Sequence, residues 1–246
     1  MNSSQDTCLQ PIELDAHFCF HCHPELSCFN LCCHDLIQFL YPYDILRLKK
    51  HLATSSTDFL KAYCLIYDGE SSGLPVVSLK PDPNRQHACP FLCETGCIVY
   101  EDRPASCRIF PLARGLVRNR ISGCIEERYA RIPDPLCKGF ESDQSIHLKD
   151  WLASQDMDKF NRMNDAMMPL ISLKNQLRPG PLPLREREIF ITGCYDLDRF
   201  RKKHYETGAL TDLFSKKQLM HAADSDEALL LLGMDWVRIQ LFGEIK

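Results

Sequence analysis

The chain has 246 residues, 45% hydrophobic and 25% charged, with a formal net charge of −4. Such a composition is ordinary for a soluble globular protein and long enough for one large domain, or one domain with an appendage. The slight negative charge argues against general attraction to nucleic acid or to an anionic membrane surface. No apolar run approaches the ~20 residues that span a bilayer, the greasiest stretch being Leu229 to Leu232.

Residues 1–17 read as a polar leader, lacking the basic start and apolar run of a secretory signal. The expected location is therefore the cytoplasm, where thiols stay reduced and disulfides are rare. That matters because the chain carries 14 cysteines. A first block, Phe18 to Cys33, gathers Cys19, Cys22, Cys28, Cys32 and Cys33, with His21 and His23 inside it and His34 directly after. Imidazole is a competent ligand for zinc or iron. Beside so many thiols, however, these histidines are expected more often as hydrogen-bond donors to ligand sulfur.

Pro42 suits a helix start, and Ile45, Leu46, Leu48 and Leu52 give that helix an apolar face to about Ala53. Ser55 with Asp58 is a capping pair for a second helix, Thr57 to Cys64, in which Cys64 is expected as core. Gly69 to Gly73 is a turn and Pro75 to Leu79 a short strand.

The second block runs from Cys89 to Pro111 and holds Cys89, Cys93, Cys97 and Cys107. Glu94-Thr95-Gly96 reads as a tight turn between extended runs at Phe91-Leu92 and Ile98 to Tyr100. Arg103-Pro104 is expected to take the chain out of regular structure and re-aim Cys107 toward the hairpin. One or two short strands follow between Leu112 and Gly123, with Arg118-Asn119-Arg120 as a turn, and Cys137 arrives on a loop after Pro133 and Pro135.

From Ser145 the pattern turns helical, with a short helix around Trp151-Leu152 and a longer one from about Met157 to Leu173, kinked or stopped by Pro169. Its methionines fall at helical spacing and are read as core. Pro179 to Pro183 is the clearest linker, and amphipathic helices are expected over Asp196 to Tyr205 and Ser225 to Phe242. The expected fold class is α+β: an irregular cysteine-rich metal-binding core with a short antiparallel hairpin or small sheet, surrounded by several α-helices. Its domains would be the leader, a metal-binding domain over 18–178, and a helical extension over 184–246 packing on it.

Nine of the cysteines crowd into the two blocks, whereas cysteine used only as a small apolar residue would be scattered. The opening Cys22-His23-Pro24 with Cys28, Cys32 and Cys33, then Tyr41-Pro42-Tyr43, resembles the YkgJ-type cysteine-cluster (CxxCxxCC) family of zinc- or iron-chelating proteins. Cys89, Cys97, Arg103-Pro104, Cys107-Arg108 and Phe110-Pro111 resemble its second motif, and Cys137-Lys138-Gly139-Phe140 its continuation, so the likeness spans roughly residues 18 to 168. It implies a metal-ligand set of Cys22, Cys28, Cys32, Cys33, Cys89, Cys97, Cys107 and Cys137, leaving Cys19, Cys93 and Cys124 outside.

Eight thiolates suffice for two four-thiolate zinc sites, or can hold an iron–sulfur cluster such as 4Fe–4S on four of them. The adjacent pair Cys32-Cys33 diverges on any regular backbone, which favours two centres or a larger cluster over one tetrahedral ion. Zinc and iron both stay open. Five arginines and no acid between Arg103 and Arg120 are read as offsetting thiolate charge, with Arg103 and Arg108 expected to donate to ligand sulfur. The expected function is cytoplasmic metal binding in a structural or redox-sensing role. One alternative is an iron–sulfur-dependent protein-modifying enzyme, by analogy with the cysteine cluster of flagellin lysine methylases. The other is an interaction module whose C-terminal helices bind a protein partner.

Overall fold

Prolines and tight turns chop the first two thirds of the chain into short elements, and helices dominate the last third. A computed structural model describes residues 9–35, 37–70, 72–119 and 121–243. In chain order the strands are β1 (Gln10–Ile12), β2 (His17–Cys19), β3 (Phe39–Leu40), β4 (Cys64–Asp68), β5 (Pro75–Leu79), β6 (Leu92–Cys93), β7 (Gly96–Cys97), β8 (Leu112–Arg118), β9 (Ile125–Arg131) and β10 (Ser145–His147). The helices are α1 (Pro42–His51), α2 (Ser56–Tyr63), α3 (Ala105–Ile109), α4 (Leu148–Ser154), α5 (Met157–Asp165), α6 (Met168–Leu177), α7 (Leu184–Cys194), α8 (Leu197–Phe200), α9 (Lys216–Asp224) and α10 (Asp226–Phe242).

The fold is α+β, with every sheet small and antiparallel: β1-β9-β8, β3-β5-β4, β10-β2 and the β6-β7 hairpin. Part of the expected leader is therefore ordered, since Gln10–Ile12 pairs with Tyr129 to Arg131 on β9; residues 1–8 lie outside the described residues. Cys64 is buried as expected, but it begins strand β4 rather than ending a helix. The cysteine hairpin closes tighter than its apolar runs suggest. Its strands are Leu92–Cys93 and Gly96–Cys97, and Gly96 takes the positive φ of 124° that the turn requires. Arg103-Pro104 starts a helix rather than ending regular structure, because Pro104 sits at the N-cap of α3, where its missing N–H costs nothing. The segment from Leu112 is one seven-residue strand.

The expected long helix after Met157 is two, α5 and α6, with Pro169 in the first turn of the second. Beyond Asp196 the chain makes only one short turn of α-helix before a π-helical segment, Arg201–Tyr205. Helix α7 carries weak periodicity, and neither it nor α9, which opens on a Ser215–Gln218 capping box, is among the expected helices. Both are held by tertiary packing, α7 against α10 most closely, where Gly193 and Gly233 face each other; a Cβ on Gly233 would sit 2.2 Å from the Gly193 carbonyl oxygen.

The C-terminal helices share one apolar cluster with the earlier elements, in which Tyr43, Phe59 and Leu48 are buried with Phe190, Phe200, Leu229 and Val237. A polar joint adds direction. Ser56 and Thr57, opening α2, donate their hydroxyls to Asp196 at 2.7 and 2.8 Å, while Asp198 accepts from the Ser56 amide at 2.6 Å and from Lys49 at 2.9 Å. The proline-rich stretch 179–183 is pinned as well. Lys174, fully buried, donates to the carbonyls of Ser72 (3.1 Å), Arg178 (2.5 Å) and Gly180 (2.5 Å), and the Leu182 amide bonds to the Gly73 carbonyl at 3.3 Å. Replacing Lys174 by Met orphans these acceptors at once. The expected loss is about 3 kcal/mol of unfolding free energy, and urea denaturation showing a change within experimental scatter would refute this account of the clamp.

Candidate metal centre

The thiols are brought together by irregular backbone, not by one regular element. Asn30 adopts a left-handed conformation (φ 70°) ahead of the 3₁₀ turn Leu31–Cys33, which presents Cys32 and Cys33 side by side. The second block is anchored to the first by backbone bonds: the Cys89 amide donates to the Cys33 carbonyl at 2.7 Å, and the Asp35 amide to the His87 carbonyl at 3.3 Å. Within the second block, β6 and β7 place Cys97 opposite Leu92, and α3 carries Cys107, whose Sγ donates to Gln38 Oε1 at 3.2 Å. Cys137 heads a 3₁₀ turn, Lys138–Glu141. The Lys138 amide donates to Cys28 Sγ at 3.1 Å, and the His21 amide donates to the Gly139 carbonyl at 2.9 Å. Gly139 is required here, since a Cβ would meet the Phe20 ring at 2.8 Å.

Mutual electrostatics sort the eight expected ligands into two neighbourhoods. Burial raises the Cys22 thiol, and Cys32 and Cys28 add to it; Cys137 is pushed up to about 11 by burial, then by Cys28, Asp134 and Cys22. On the other side, burial raises Cys89, Cys97 and Cys107. Cys97 and Cys32 add to the rise at Cys89, and Cys89, Asp44, Cys97 and Cys32 to that at Cys107. Hydrogen bonding between the Cys32 and Cys33 side chains draws Cys32 down to about 7 and drives Cys33 far above the ordinary thiol range. Cys32 acts on Cys22, Cys33, Cys89, Cys97 and Cys107, and therefore stands between the two groups.

This crowding is short of coordination: among the described residues, no three His, Cys, Asp or Glu side chains converge closely enough to hold a metal ion. The donor set nonetheless fits a thiophilic cation. Thiols that raise one another's pKa are relieved when a cation binds their deprotonated forms. Arg85 acts on Cys89 and Arg103 on Cys97 in the same sense, lowering them against burial.

The remaining described cysteines are not in the expected ligand set. Cys124 is exposed at the tip between β8 and β9, its Sγ donating to the Ser122 carbonyl at 3.8 Å. Cys93 pairs with Thr95 Oγ1 at 3.2 Å, which lowers it below the ordinary thiol range. Cys19 lies on β2, and Cys64 and Cys194 are buried in the core.

Two expectations about donors are corrected. Arg103 donates to the Tyr100 carbonyl at 2.7 Å and to Gln155, and Arg108 to the carbonyls of Arg103, Gln155 and Glu101. Guanidinium groups committed to carbonyls brace the backbone around the hairpin and α3; they do not bond sulfur. The histidines behave likewise: His23 approaches Glu25 at 4.0 Å, His34 meets the Gln86 carbonyl at 3.4 Å, and the His21 and His23 rings lie 5.0 Å apart. No histidine among the described residues bonds a cysteine sulfur. Two groups that do, Gln38 at Cys107 and the Lys138 amide at Cys28, were not singled out from sequence. A backbone amide has no sequence signature, and Gln38 lies outside both blocks.

Among known proteins, residues 21–138 match the CxxCxxCC family, described as a putative zinc- or iron-chelating domain. No curated protein and no solved structure matches the chain.

Proposed function

We propose, from the match of residues 21–138 to the CxxCxxCC family, that this is a cytoplasmic protein of that family whose cysteine cluster holds zinc or an iron centre in a structural or redox-sensing role. Cys22, Cys28 and Cys137 serve one side of the cluster, and Cys33, Cys89, Cys97 and Cys107 the other, with Cys32 shared between or bridging them. Zinc closes a four-thiolate site without redox chemistry, whereas an iron–sulfur cluster adds electron transfer. The helices over 184–246 form an extension that packs on the metal domain.

One observation carries this reading. From residue 21 to residue 37, the stretch that supplies four of the eight thiols, no described residue is buried. Leu31 is 52% exposed and Ile37 67%. A segment without core residues cannot repay its ordering entropy by apolar burial. Ligation of Cys22, Cys28, Cys32 and Cys33 supplies the missing stabilisation.

Protein purified without oxygen is expected to retain stoichiometric zinc or iron through desalting, brown with broad visible absorption if the centre is iron–sulfur and colourless if it is zinc. Serine at Cys33, Cys97 or Cys107 is expected to lose most of that metal, while Cys64→Ser and Cys124→Ser keep it. Elemental analysis finding only traces of every transition metal would defeat the proposal. Metal loss on Cys124→Ser with retention on Cys97→Ser would defeat the ligand assignment.

A further inference from the structure

β2 lies just before the matched residues and β10 just after them, and the two pair in the register His17↔His147, Phe18↔Ile146, Cys19↔Ser145. The Leu148 amide donates to the Ala16 carbonyl at 3.0 Å, which makes Ala16 and Leu148 a hydrogen-bonded pair. His17 and His147, one step along, are thus a non-hydrogen-bonded pair, the arrangement in which opposite Cα atoms lie only about 4.5 Å apart and side chains come closest. Their ring centroids are 4.8 Å apart, with planes at 78°. Phe18 between them in sequence is buried on the opposite face, while His17 is exposed and His147 half-buried. No hydrogen bond among the described residues engages a nitrogen of either ring, so both imidazoles keep free lone pairs.

We propose that His17 and His147 form a cross-strand chelate for a divalent transition-metal ion of zinc's class, separate from the cysteine cluster. Imidazole suits zinc, copper and nickel, and two imidazoles on facing strands are pre-oriented, so little side-chain freedom remains to be lost on binding. Water completes the coordination. Cys19 lies on the same face but opposite Ser145, two register steps away, and is not a ligand. Because β2 leads into the first cysteine block and β10 into α4, ion binding ties the entry of the cluster to the helical part of the chain.

The test uses the full chain carrying its resident metal, titrated with buffered Zn²⁺ and read by equilibrium dialysis and by NMR of ¹⁵N-labelled histidine rings. One further equivalent of zinc is expected, with the His17 and His147 ring signals moving together. His17→Ala and His147→Ala should each weaken that equivalent by about tenfold or more, ~1.4 kcal/mol per tenfold. His21→Ala and Cys19→Ser should leave it unchanged, and all four variants should keep the resident metal. No further equivalent, or one that persists in both His17→Ala and His147→Ala, overturns the proposal. The ring signals of the unsubstituted protein decide the matter even if a variant fails to fold. Resident metal content is measured separately, so failure here is distinguishable from failure of the cysteine-cluster reading.

Discussion

Stripping the metal from the reduced protein is expected to open residues 21–37 to protease first, while α1, α2 and α7 to α10 stay protected. The magnitude follows from what each part has to lose. Structural zinc supplies apparent free energies of about 10–16 kcal/mol in small peptides, comparable to the 5–15 kcal/mol stability of a whole domain. No described residue of 21–37 has a buried side chain to fall back on. Few backbone bonds tie this segment to the rest of the chain, chiefly those from Cys89 and to Gly139. The second block differs, because Phe91, Leu92, Val99 and Ile109 are buried in it. Its hairpin should loosen less and later. The helical elements share the apolar cluster and the Ser56–Asp196–Asp198 joint, neither of which depends on sulfur. Limited proteolysis read by mass spectrometry, on demonstrably metal-free and metal-loaded protein, decides the point. Identical cleavage patterns would remove the structural role and leave an exposed centre serving another purpose.

The second large effect is expected at Asp44. Its carboxylate is fully buried and caps two helices at once, accepting from the Tyr41 amide of α1 at 2.8 Å and from the Ala105 amide of α3 at 2.9 Å. Burial pushes it up to about 7, against the two amides and Arg108, which lower it. A carboxyl with a raised folded-state pKa contributes stability that is complete below its unfolded value near 4 and is lost as pH rises through 7. Asparagine removes the titration but keeps only one acceptor oxygen, its NH2 group facing the other of the two amides. Asp44→Asn should therefore start below the parent near pH 4, by about 1–3 kcal/mol for the unpaired amide, and gain on it up to pH 7.5, by as much as about 4 kcal/mol for a shift of roughly three pKa units. Asp44→Ala, which leaves both amides without an acceptor, should lie below Asp44→Asn at every pH, by about 1–3 kcal/mol, and be the least stable of the three near pH 4. Urea denaturation of the three proteins across this range tests it. If Asp44→Asn instead falls further behind the parent as pH rises, the two amides and the helix dipoles outweigh desolvation, and the carboxylate is a stabilising anion.

Local rules were readable wherever a residue's role depends on its immediate neighbours. Ser55 caps α2 by accepting from the Asp58 amide, Pro42 opens α1, Ser225 caps α10, and the Met163 and Met167 side chains are core. The hairpin was readable in position but not in length, because its apolar neighbours Phe91 and Val99 pack into the core instead of extending the strands. Helix α7 was invisible because its residues do not segregate onto one face, and packing against α10 decides its conformation; α9 had a legible start in Ser215 and Gln218, whose side chains accept from each other's backbone amides.

The same division runs through the candidate centre. Clustered cysteines in two windows determined by themselves that thiol chemistry is central, since soft ligands must be supplied in numbers and near one another in sequence where turns can gather them. Which thiols are neighbours was decided only by tertiary structure. Cys137 joins Cys22 and Cys28 because the Lys138 amide and the Gly139 carbonyl dock its turn on the first block, and Cys89 joins Cys33 through one backbone bond. Contacts of this kind link residues more than a hundred or more than fifty positions apart through main-chain groups every residue carries. No side-chain pattern encodes them, and so the arginines and histidines nearest the thiols in sequence turned out to serve carbonyls and carboxylates instead of sulfur.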